Sequence, residues 1–258
     1  MLGDRARLVG RAVDPREDWA GTLTPTTKPG LWQVVNLKDQ TAWTGEIGTR
    51  AKVGIFSGTL DYYYSAVRNE LLNVNDPATG ITTTENASPT THQGVELGLD
   101  TTLWQEGKTN EQAKELTQTL TLHQAYTFSD FYYDNDSALH HNSLPGIPVD
   151  YYQASIVYNH PSGFYLSFDT QVSSSYAIDY ANTVFTDPYV LFGTTVGYVA
   201  PKKGFSVYLD FRNLTNKHYA ADVSSPAYNV GGNNSAAGGA VLDPGDGFGV
   251  FSGISYSF

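Results

Sequence analysis

The last eleven residues of the chain, Phe248 to Phe258, constrain its fold more than any other segment. They read FGVFSGISYSF, so large apolar side chains alternate with glycine and serine over most of the segment. Successive residues of a β-strand point to opposite faces, and this segment therefore predicts a strand with one apolar face and one small, polar face. Such a strand is typical of a bacterial outer-membrane β-barrel, in which the apolar face contacts lipid and the polar face lines the lumen. Alternation by itself also fits an edge strand of a soluble β-sandwich.

The composition favours an all-β protein and excludes several classes of function. Glycine, tyrosine, threonine, serine and asparagine dominate the 258 residues, and strong helix formers cluster only near 105–115. Cysteine is absent, which excludes a disulfide, a thiolate metal site and a cysteine nucleophile. The net charge of −11 argues against binding to nucleic acid. No apolar run approaches the roughly 18 residues of a transmembrane helix.

Alternating segments recur along the chain and predict nine antiparallel strands. In each segment, apolar and aromatic residues share one parity while polar residues share the other, as in a membrane-spanning strand. Residues 116–128 fit least well, because Gln118 and Gln124 fall on the apolar parity. The predicted strands are residues 41–50, 53–66, 91–103, 116–128, 149–158, 164–172, 189–199, 205–213 and 248–258.

The connections between these segments alternate in length, which is independent evidence for a membrane barrel. Short or medium connections (51–52, 104–115, 160–163 and 201–204) alternate with long ones (67–90, 129–148, 173–188 and 214–247). Outer-membrane barrels have short periplasmic turns and long extracellular loops, whereas a soluble sandwich has no reason to alternate in this way. Aromatic residues at the short-turn ends predict a periplasmic girdle, formed by Trp104, Tyr158, Phe164, Tyr198, Phe205 and Phe258.

The N-terminal part of the chain conflicts with a complete exported barrel. Residues 1–19 lack the apolar region of a signal peptide and carry acidic residues among basic ones. Residues 1–40 are predicted to be an irregular extracellular segment, and 41–258 the transmembrane barrel part. Nine strands is an odd number, whereas bacterial single-chain barrels have even numbers. We therefore expect either the C-terminal part of a longer protein or a tenth strand within 1–40, for which 31–37 (LWQVVNL) is the only candidate.

Five stretches resemble the C-terminal half of the TonB-dependent outer-membrane receptors. Together they cover roughly residues 30–258, in the same order and at the same spacings as in that family. They are FRNLTNKHYA (211–220), NLKDQTAWTGEIGTR (36–50), THQGVELGLD (91–100), LPGIP (144–148) and the terminal Phe258.

This resemblance implies a fold, a function and a set of partners. In the family, a 22-strand barrel encloses an N-terminal plug that binds the energy-coupling protein TonB. The family imports scarce nutrients, most often ferric siderophores or ferric citrate and sometimes cobalamin, other cofactors or saccharides. The QGVEL motif and the DPGDG stretch, Asp243 to Gly247, favour the ferric-chelate branch.

The chain has room for about nine of the family's strands and contains no plug, so we expect it to supply wall and loops only. The implied partners are outer-membrane lipid, the barrel assembly machinery, a ferric siderophore or similar ligand, and TonB acting through a plug domain that is missing here. No cofactor is expected. The resemblance also implies a membrane-assembly signal at the C-terminus, formed by Ile254, Tyr256 and Phe258.

One predicted outer loop carries the densest cluster of polar and aromatic residues. The cluster comprises Tyr132, Tyr133, Asp134, Asp136, His140 and His141. Imidazoles and carboxylates can contact a ligand or hold a metal ion, although adjacent histidines in a strand point apart and rarely chelate together. A solvated loop of the same composition is the alternative.

Charged and aromatic residues elsewhere give further candidates for ligand contacts. Charges on or near the lumen face are Arg50, Arg68, Arg212, Glu46, Glu96, Asp100 and Asp210. They form either a cross-strand network or an anion site, for which Arg68 and Arg212 at the outer strand ends are best placed. Tyrosines in the predicted outer loops either stack on planar groups of a siderophore or pack within the loops; they are Tyr176, Tyr180, Tyr219 and Tyr228.

No pattern in the sequence indicates catalysis. The chain has no recognisable nucleophile–base pair, phosphate-binding loop or zinc-ligand spacing, so we expect that it is not an enzyme. Two other readings stay open: a stand-alone small barrel acting as a passive pore or adhesin, and a soluble β-sandwich that binds a partner.

Overall fold

A computed structural model of the chain describes residues 5–12, 21–25, 32–76, 81–106, 118–201, 204–225 and 241–257. These residues form sixteen β-strands. Among them, no helix is long and apolar enough to cross a membrane. The strands are β1 (Arg5–Ala12), β2 (Gly21–Pro25), β3 (Trp32–Asn36), β4 (Thr41–Val53), β5 (Phe56–Arg68), β6 (Leu71–Asp76), β7 (Ile81–Asn86), β8 (Thr90–Glu106), β9 (Gln118–Tyr133), β10 (Asp150–Asn159), β11 (Phe164–Ser173), β12 (Tyr189–Val199), β13 (Gly204–Arg212), β14 (Ala220–Ser225), β15 (Val241–Pro244) and β16 (Gly249–Ser257).

Ten strands form a single antiparallel sheet in the order β1-β4-β5-β8-β9-β10-β11-β12-β13-β16. The other six form three hairpins, β2–β3, β6–β7 and β14–β15. Each hairpin lies within a connection between neighbouring strands of the sheet. All three therefore lie at the same end of the sheet, which we call the long-loop end; the opposite end is the short-turn end.

All nine strands predicted from alternation are present in the sheet. The bounds of β12 coincide with the predicted 189–199, and β8 extends beyond its predicted range to 17 residues. The prediction of an antiparallel all-β fold is confirmed.

The tenth strand of the sheet is β1, which pairs with β4, so the candidate at 31–37 was wrong. That segment contains β3, which pairs with β2 in a hairpin outside the sheet. The apolar parity of β1, RARLVGRA, carries only alanine, glycine and one leucine, so its alternation is weak in the sequence. Residues 1–40 thus contain three strands where the sequence analysis offered one candidate, and the position of this segment outside the membrane stays a prediction.

The apolar face of the sheet is largely uncovered. Ile254 is 77 % exposed, and the large side chains that share this face across the sheet include Trp43, Ile47, Leu60, Tyr62, Leu97, Phe164, Phe168, Phe192, Leu209 and Val250. A soluble protein rarely leaves so extensive an apolar surface open to water. The arrangement argues against the soluble β-sandwich reading.

Gln118 and Gln124 lie on the apolar face, as their parity indicated, and each has a tyrosine partner. The Gln118 side-chain amide donates a 2.6 Å hydrogen bond to the Tyr158 hydroxyl. The Tyr152 hydroxyl donates a 2.8 Å hydrogen bond to Gln124 Oε1. Because a polar group in an apolar environment is costly only when it is unpaired, these pairs explain how the two amides are accommodated.

Most of the buried apolar side chains lie at the long-loop end of the sheet. One cluster joins Tyr133, Leu139, Leu144 and Tyr180, and a second joins Tyr176, Ile178 and Val223. These clusters connect four loops, which we call the loop cap. The first loop is described at residues 69–76 and 81–89, the second is 134–149, the third is 174–188, and the fourth is described at 213–225 and 241–248. The loops therefore pack as one body instead of extending singly into solvent.

Hydrogen bonds between loops reinforce the loop cap. Asn182 bonds Ser143 twice: its Oδ1 accepts from the Ser143 amide at 2.7 Å, and its Nδ2 donates to the Ser143 carbonyl at 2.9 Å. The Tyr180 hydroxyl donates to the Asn73 carbonyl at 3.0 Å. The Tyr176 hydroxyl donates to the Ala220 carbonyl at 3.2 Å. Each bond joins two different loops, so the four loops restrain one another.

Candidate ligand site

A polar cavity of about 440 Å³ lies on the polar face of the sheet, beneath the loop cap. The long-loop ends of β11, β12 and β13 form its floor, and residues after β13 and before β16 form its rim. The lining residues are Asp169, Gln171, Leu191, Phe192, Asp210, Arg212, Asn213, Tyr219, Asp246 and Gly247. Two of the ligand contacts predicted from the sequence, Arg212 and Tyr219, meet here.

Arg212 lies on the floor of the cavity and is already paired with a carboxylate. Its Nε donates to Asp210 Oδ2 at 2.7 Å, and its guanidinium carbon lies 4.5 Å from the centre of the Phe251 ring. The Thr195 hydroxyl donates to the other Asp210 oxygen at 3.1 Å. Phe251 breaks the alternation of the last strand, and this stacking on Arg212 explains why an aromatic side chain faces the polar side.

Asn213 holds the rim of the cavity in place. It is 6 % exposed, and its backbone φ of 47° is in the left-handed region that asparagine tolerates better than most residues. Its Nδ2 donates to the carbonyls of Lys217 (2.8 Å) and Asp246 (2.9 Å), and its Oδ1 accepts from the Lys217 amide at 2.8 Å. The asparagine of the FRNLTNKHYA stretch therefore joins the start of its loop to the loop's end, which brings Tyr219 and Asp246 together.

Tyr219 forms the aromatic wall of the cavity. Its ring centre lies 4.5 Å from that of Tyr189, with the two planes tilted by 46°. Burial, and then the negative charge of Asp246, raise the pKa of Tyr219 above its usual value. The phenol is therefore neutral at neutral pH and can donate a hydrogen bond to a ligand.

The sequence analysis missed three carboxylate and amide residues of this cavity. Asp169 and Gln171 were assigned only to the polar parity of their strand, and Asp246 was noted only within the DPGDG stretch. Their parity predicted the face, but not the depth along the strand at which they meet Arg212 and Tyr219.

The cluster of histidines and tyrosines lies in the loop cap and not in the cavity. The His141 ring lies 4.1 Å from the Tyr132 ring, and His140 is exposed with a positive φ of 54°. The His140 amide and carbonyl both bond the backbone of Asp136, which closes a tight loop tip. In the described part of the chain, no three His, Asp or Glu side chains come together as a metal site would require.

Three tyrosines predicted as ligand contacts are buried in the loop cap or against it. Tyr133, Tyr176 and Tyr180 are 3 %, 5 % and 2 % exposed. Burial raises the pKa values of Tyr176 and Tyr180, so both phenols stay neutral. These rings fill the cores of the loop cap and present no open face to a ligand, which favours the packing alternative for them. Tyr228 and Phe258 lie outside the described residues.

The family of the chain follows from its sequence match. Residues 11–214 match the model of the TonB-dependent receptor-like β-barrel. The chain belongs to the TonB-dependent receptors. It is part of an outer-membrane β-barrel, and the family comprises transport receptors rather than enzymes.

Solved receptors share the fold of this receptor chain. FyuA, the ferric yersiniabactin uptake receptor from Yersinia pestis, matches with a TM-score of 0.62 at 16 % identity over 98 % of this chain and 34 % of its own. BauA, the ferric preacinetobactin receptor from Acinetobacter baumannii, gives 0.62 at 15 % identity over 100 % of this chain and 34 % of its own. The ferric citrate transporter FecA gives 0.64 at 17 % identity over 86 % and 32 %. The chain spans about a third of the length of these receptors.

The strand register of the receptor corrects the position of Arg68. This residue pairs with Thr41 and shares the parity of Tyr62 and Tyr64, so it lies on the apolar face at the long-loop end and not on the lumen face. The sequence analysis grouped it with lumen charges because it ends a strand, where parity is easily misjudged. The cavity is on the opposite face of the sheet, and Arg68 does not contribute to it.

Asp136 of the receptor gives a testable pH dependence. Burial raises its pKa, but hydrogen bonds from Ser88 and from the Leu139 and Ala138 amides, together with the charge of His140, outweigh burial and lower it. The ionised carboxylate therefore stabilises the fold at pH values above the pKa of the unfolded state, which is about 4. This stabilisation is lost as the pH falls through the pKa of the folded state. Asp136→Ala should therefore lose about 1 kcal/mol near neutral pH, and the loss should shrink in acid.

Thermal unfolding of the wild type and Asp136→Ala, compared between about pH 7 and about pH 3, measures this dependence. Asp134→Ala is the matched control, because Asp134 is an exposed carboxylate in the same loop. A difference that stays constant with pH would contradict the assignment.

Proposed function

We propose that this chain forms part of the wall and the outer loops of a receptor that imports a ferric siderophore or another ferric chelate by TonB-coupled transport. The observation that carries the proposal is the polar cavity between the lumen face and the loop cap, with Tyr219 and Arg212 among its lining residues. Similar solved structures are named as receptors for ferric yersiniabactin, ferric preacinetobactin and ferric citrate, which supports an iron chelate as the ligand.

The residues of the chain take different parts in the proposed import. Tyr132, His140 and His141 at the loop cap make the first contact with the chelate. In the cavity, the Tyr219 phenol stacks on or donates to a planar chelating group, Gln171 provides polar lining, and Asn213 holds the rim in place. A plug domain closes the site from below, and TonB acts on that plug to release the ligand inward.

The two edges of the sheet require strand partners in the membrane. Among the described residues, β1 and β16 each pair on one side only. Unpaired backbone N–H and C=O groups cost several kcal/mol each in a bilayer, so spanning sheets close into barrels. We propose that further strands complete a 22-strand barrel, inserted by the barrel assembly machinery with the help of the apolar end that includes Ile254 and Tyr256.

Isothermal titration of the receptor, purified from outer membranes, with a panel of ferric siderophores tests the proposal. Tyr219→Ala should weaken binding of the chelate that the wild type binds by about tenfold, since an aromatic contact contributes about 1.5 kcal/mol. His218→Ala is the control, because His218 is adjacent and exposed but does not line the cavity. No heat with any member of the panel would refute the ferric-chelate function.

A second candidate is a stand-alone barrel that acts as a passive pore or adhesin. It is favoured by the even count of ten strands in the sheet, because bacterial single-chain barrels have even numbers. The mass of the native protein in outer membranes, detected with an antibody against the loop between β13 and β16, separates the two candidates. A band near 28 kDa would support the small barrel. A band several times larger would support the receptor.

A further inference from the structure

The cavity carries an excess of negative charge. Three carboxylates, of Asp169, Asp210 and Asp246, line it together with one basic side chain, Arg212. Arg212 is paired with Asp210 at 2.7 Å and its guanidinium lies against Phe251. Asp169 and Asp246 have no lysine or arginine within ion-pair distance in the described part of the chain. The single positive charge is thus matched by Asp210, and three carboxylates with one guanidinium give the cavity a formal net charge of −2.

The excess of negative charge is confined to the cavity. Outside it, the residues on the lumen parity of β1, β4, β5 and β8 include four carboxylates and four basic residues. The carboxylates are those of Glu46, Asp61, Glu96 and Asp100, and the basic residues are Arg5, Arg7, Arg50 and Lys52. A surface lined by one sign of charge concentrates ligands of the opposite sign and repels those of its own.

We infer that the receptor takes ferric chelates that are cationic or neutral and discriminates against polyanionic ones. This inference rests on the proposed function and names the substrate class of the same cavity. A multiply anionic chelate would lie beside Asp169 and Asp246, and the one basic residue that lines the cavity, Arg212, is already paired with Asp210. A chelate with a protonated amine gains from the same two carboxylates, while the neutral Tyr219 phenol serves either kind of ligand.

Titration of the purified receptor with three ferric chelates of similar size tests the inference. The probes are a trishydroxamate with one protonated amine, a neutral cyclic trishydroxamate, and a trianionic triscatecholate. At low salt, the cationic probe should bind at least about tenfold more tightly than the trianionic one. The ratio of the two affinities, cationic over trianionic, should fall as the ionic strength rises. Added salt shortens the Debye length from about 30 Å at 0.01 M to about 8 Å at 0.15 M.

Variants of the cavity carboxylates test whether the cavity causes the preference for the cationic probe. The double substitution Asp169→Asn and Asp246→Asn should reduce the ratio several-fold by improving binding of the anionic probe. Asp187→Asn, which removes an exposed loop carboxylate outside the cavity, should leave the ratio unchanged. Since Asp246 is exposed on the rim, Asp246→Asn alone is the variant to use if the double variant does not fold, with the same direction of change.

The outcomes separate the inference from the function on which it rests. Tightest binding of the trianionic probe, or an unchanged ratio in the variants, overturns the inference and leaves the receptor function in place. Absence of binding by all three probes overturns the ferric-chelate function and the inference together.

Discussion

Replacing Gly163 by alanine is expected to destabilise the folded protein by about 3–4 kcal/mol. Gly163 lies in the turn between β10 and β11 with a φ of 95°, and an added Cβ would lie 1.9 Å from the Val199 carbonyl oxygen. The left-handed conformation costs an L-residue roughly 1–2 kcal/mol, and overpacking against rigid backbone adds about 1–3. Val199 cannot retreat easily, because its amide donates to the Gly163 carbonyl at 2.8 Å.

Gly54 provides a matched control for this substitution. It lies in another turn at the same end of the sheet, between β4 and β5, with a φ of 59°, but an added Cβ there would meet no atom within 4 Å. Gly54→Ala should therefore cost only the conformational part, about 1 kcal/mol. Urea unfolding of both variants in detergent, followed by the shift of the protein on unheated gels, measures the difference. Equal midpoints for the two variants would show that the contact with Val199 is not rigid.

Asp179→Ala is expected to release the loop between β11 and β12 from the loop cap while leaving the sheet folded. The Asp179 carboxylate is fully buried and accepts bonds from the Thr183 amide, the Thr183 hydroxyl and the Val184 amide at 2.8–3.2 Å. Removing the carboxylate deletes these hydrogen bonds to a charged acceptor, at about 1–3 kcal/mol. Because all these bonds lie within one loop, their loss lowers the free energy needed to open this loop and leaves the stability of the sheet unchanged.

Hydrogen exchange followed by mass spectrometry measures this local opening. Peptides from 174–188 should exchange faster in Asp179→Ala, by roughly tenfold to a hundredfold for a loss of about 1.4–2.8 kcal/mol. Peptides from the middle of β11 and β12 should be unchanged. Asp187→Ala, at an exposed carboxylate of the same loop, is the control and should behave as the wild type. Uniformly faster exchange across the sheet would contradict a role confined to the loop.

Much of the fold could be predicted from the sequence because the signals of a spanning strand are local. The two-residue period of a strand determines the face on which each residue lies. The alternating lengths of the connections determine which strand ends lie together. These local rules located nine strands of the sheet and placed Arg212 and Tyr219 near the same outer end. They failed for β1, whose apolar parity has only one large residue, Leu8, and for Arg68 at a strand end.

The tertiary structure alone decided which candidate residues a ligand can reach. Tyr180 and Asn73 are 107 residues apart yet share a hydrogen bond, and Tyr176 bonds Ala220 across 44 residues. No local pattern distinguishes a loop tyrosine that is buried by such contacts from one that lines a cavity. Likewise, the pairing of Arg212 with Asp210 and Phe251 depends on the register between β13 and β16. The sequence by itself determined the sheet and its faces, because strand periodicity is local; the loop cap, the cavity and its charge arise from contacts between residues far apart in the chain.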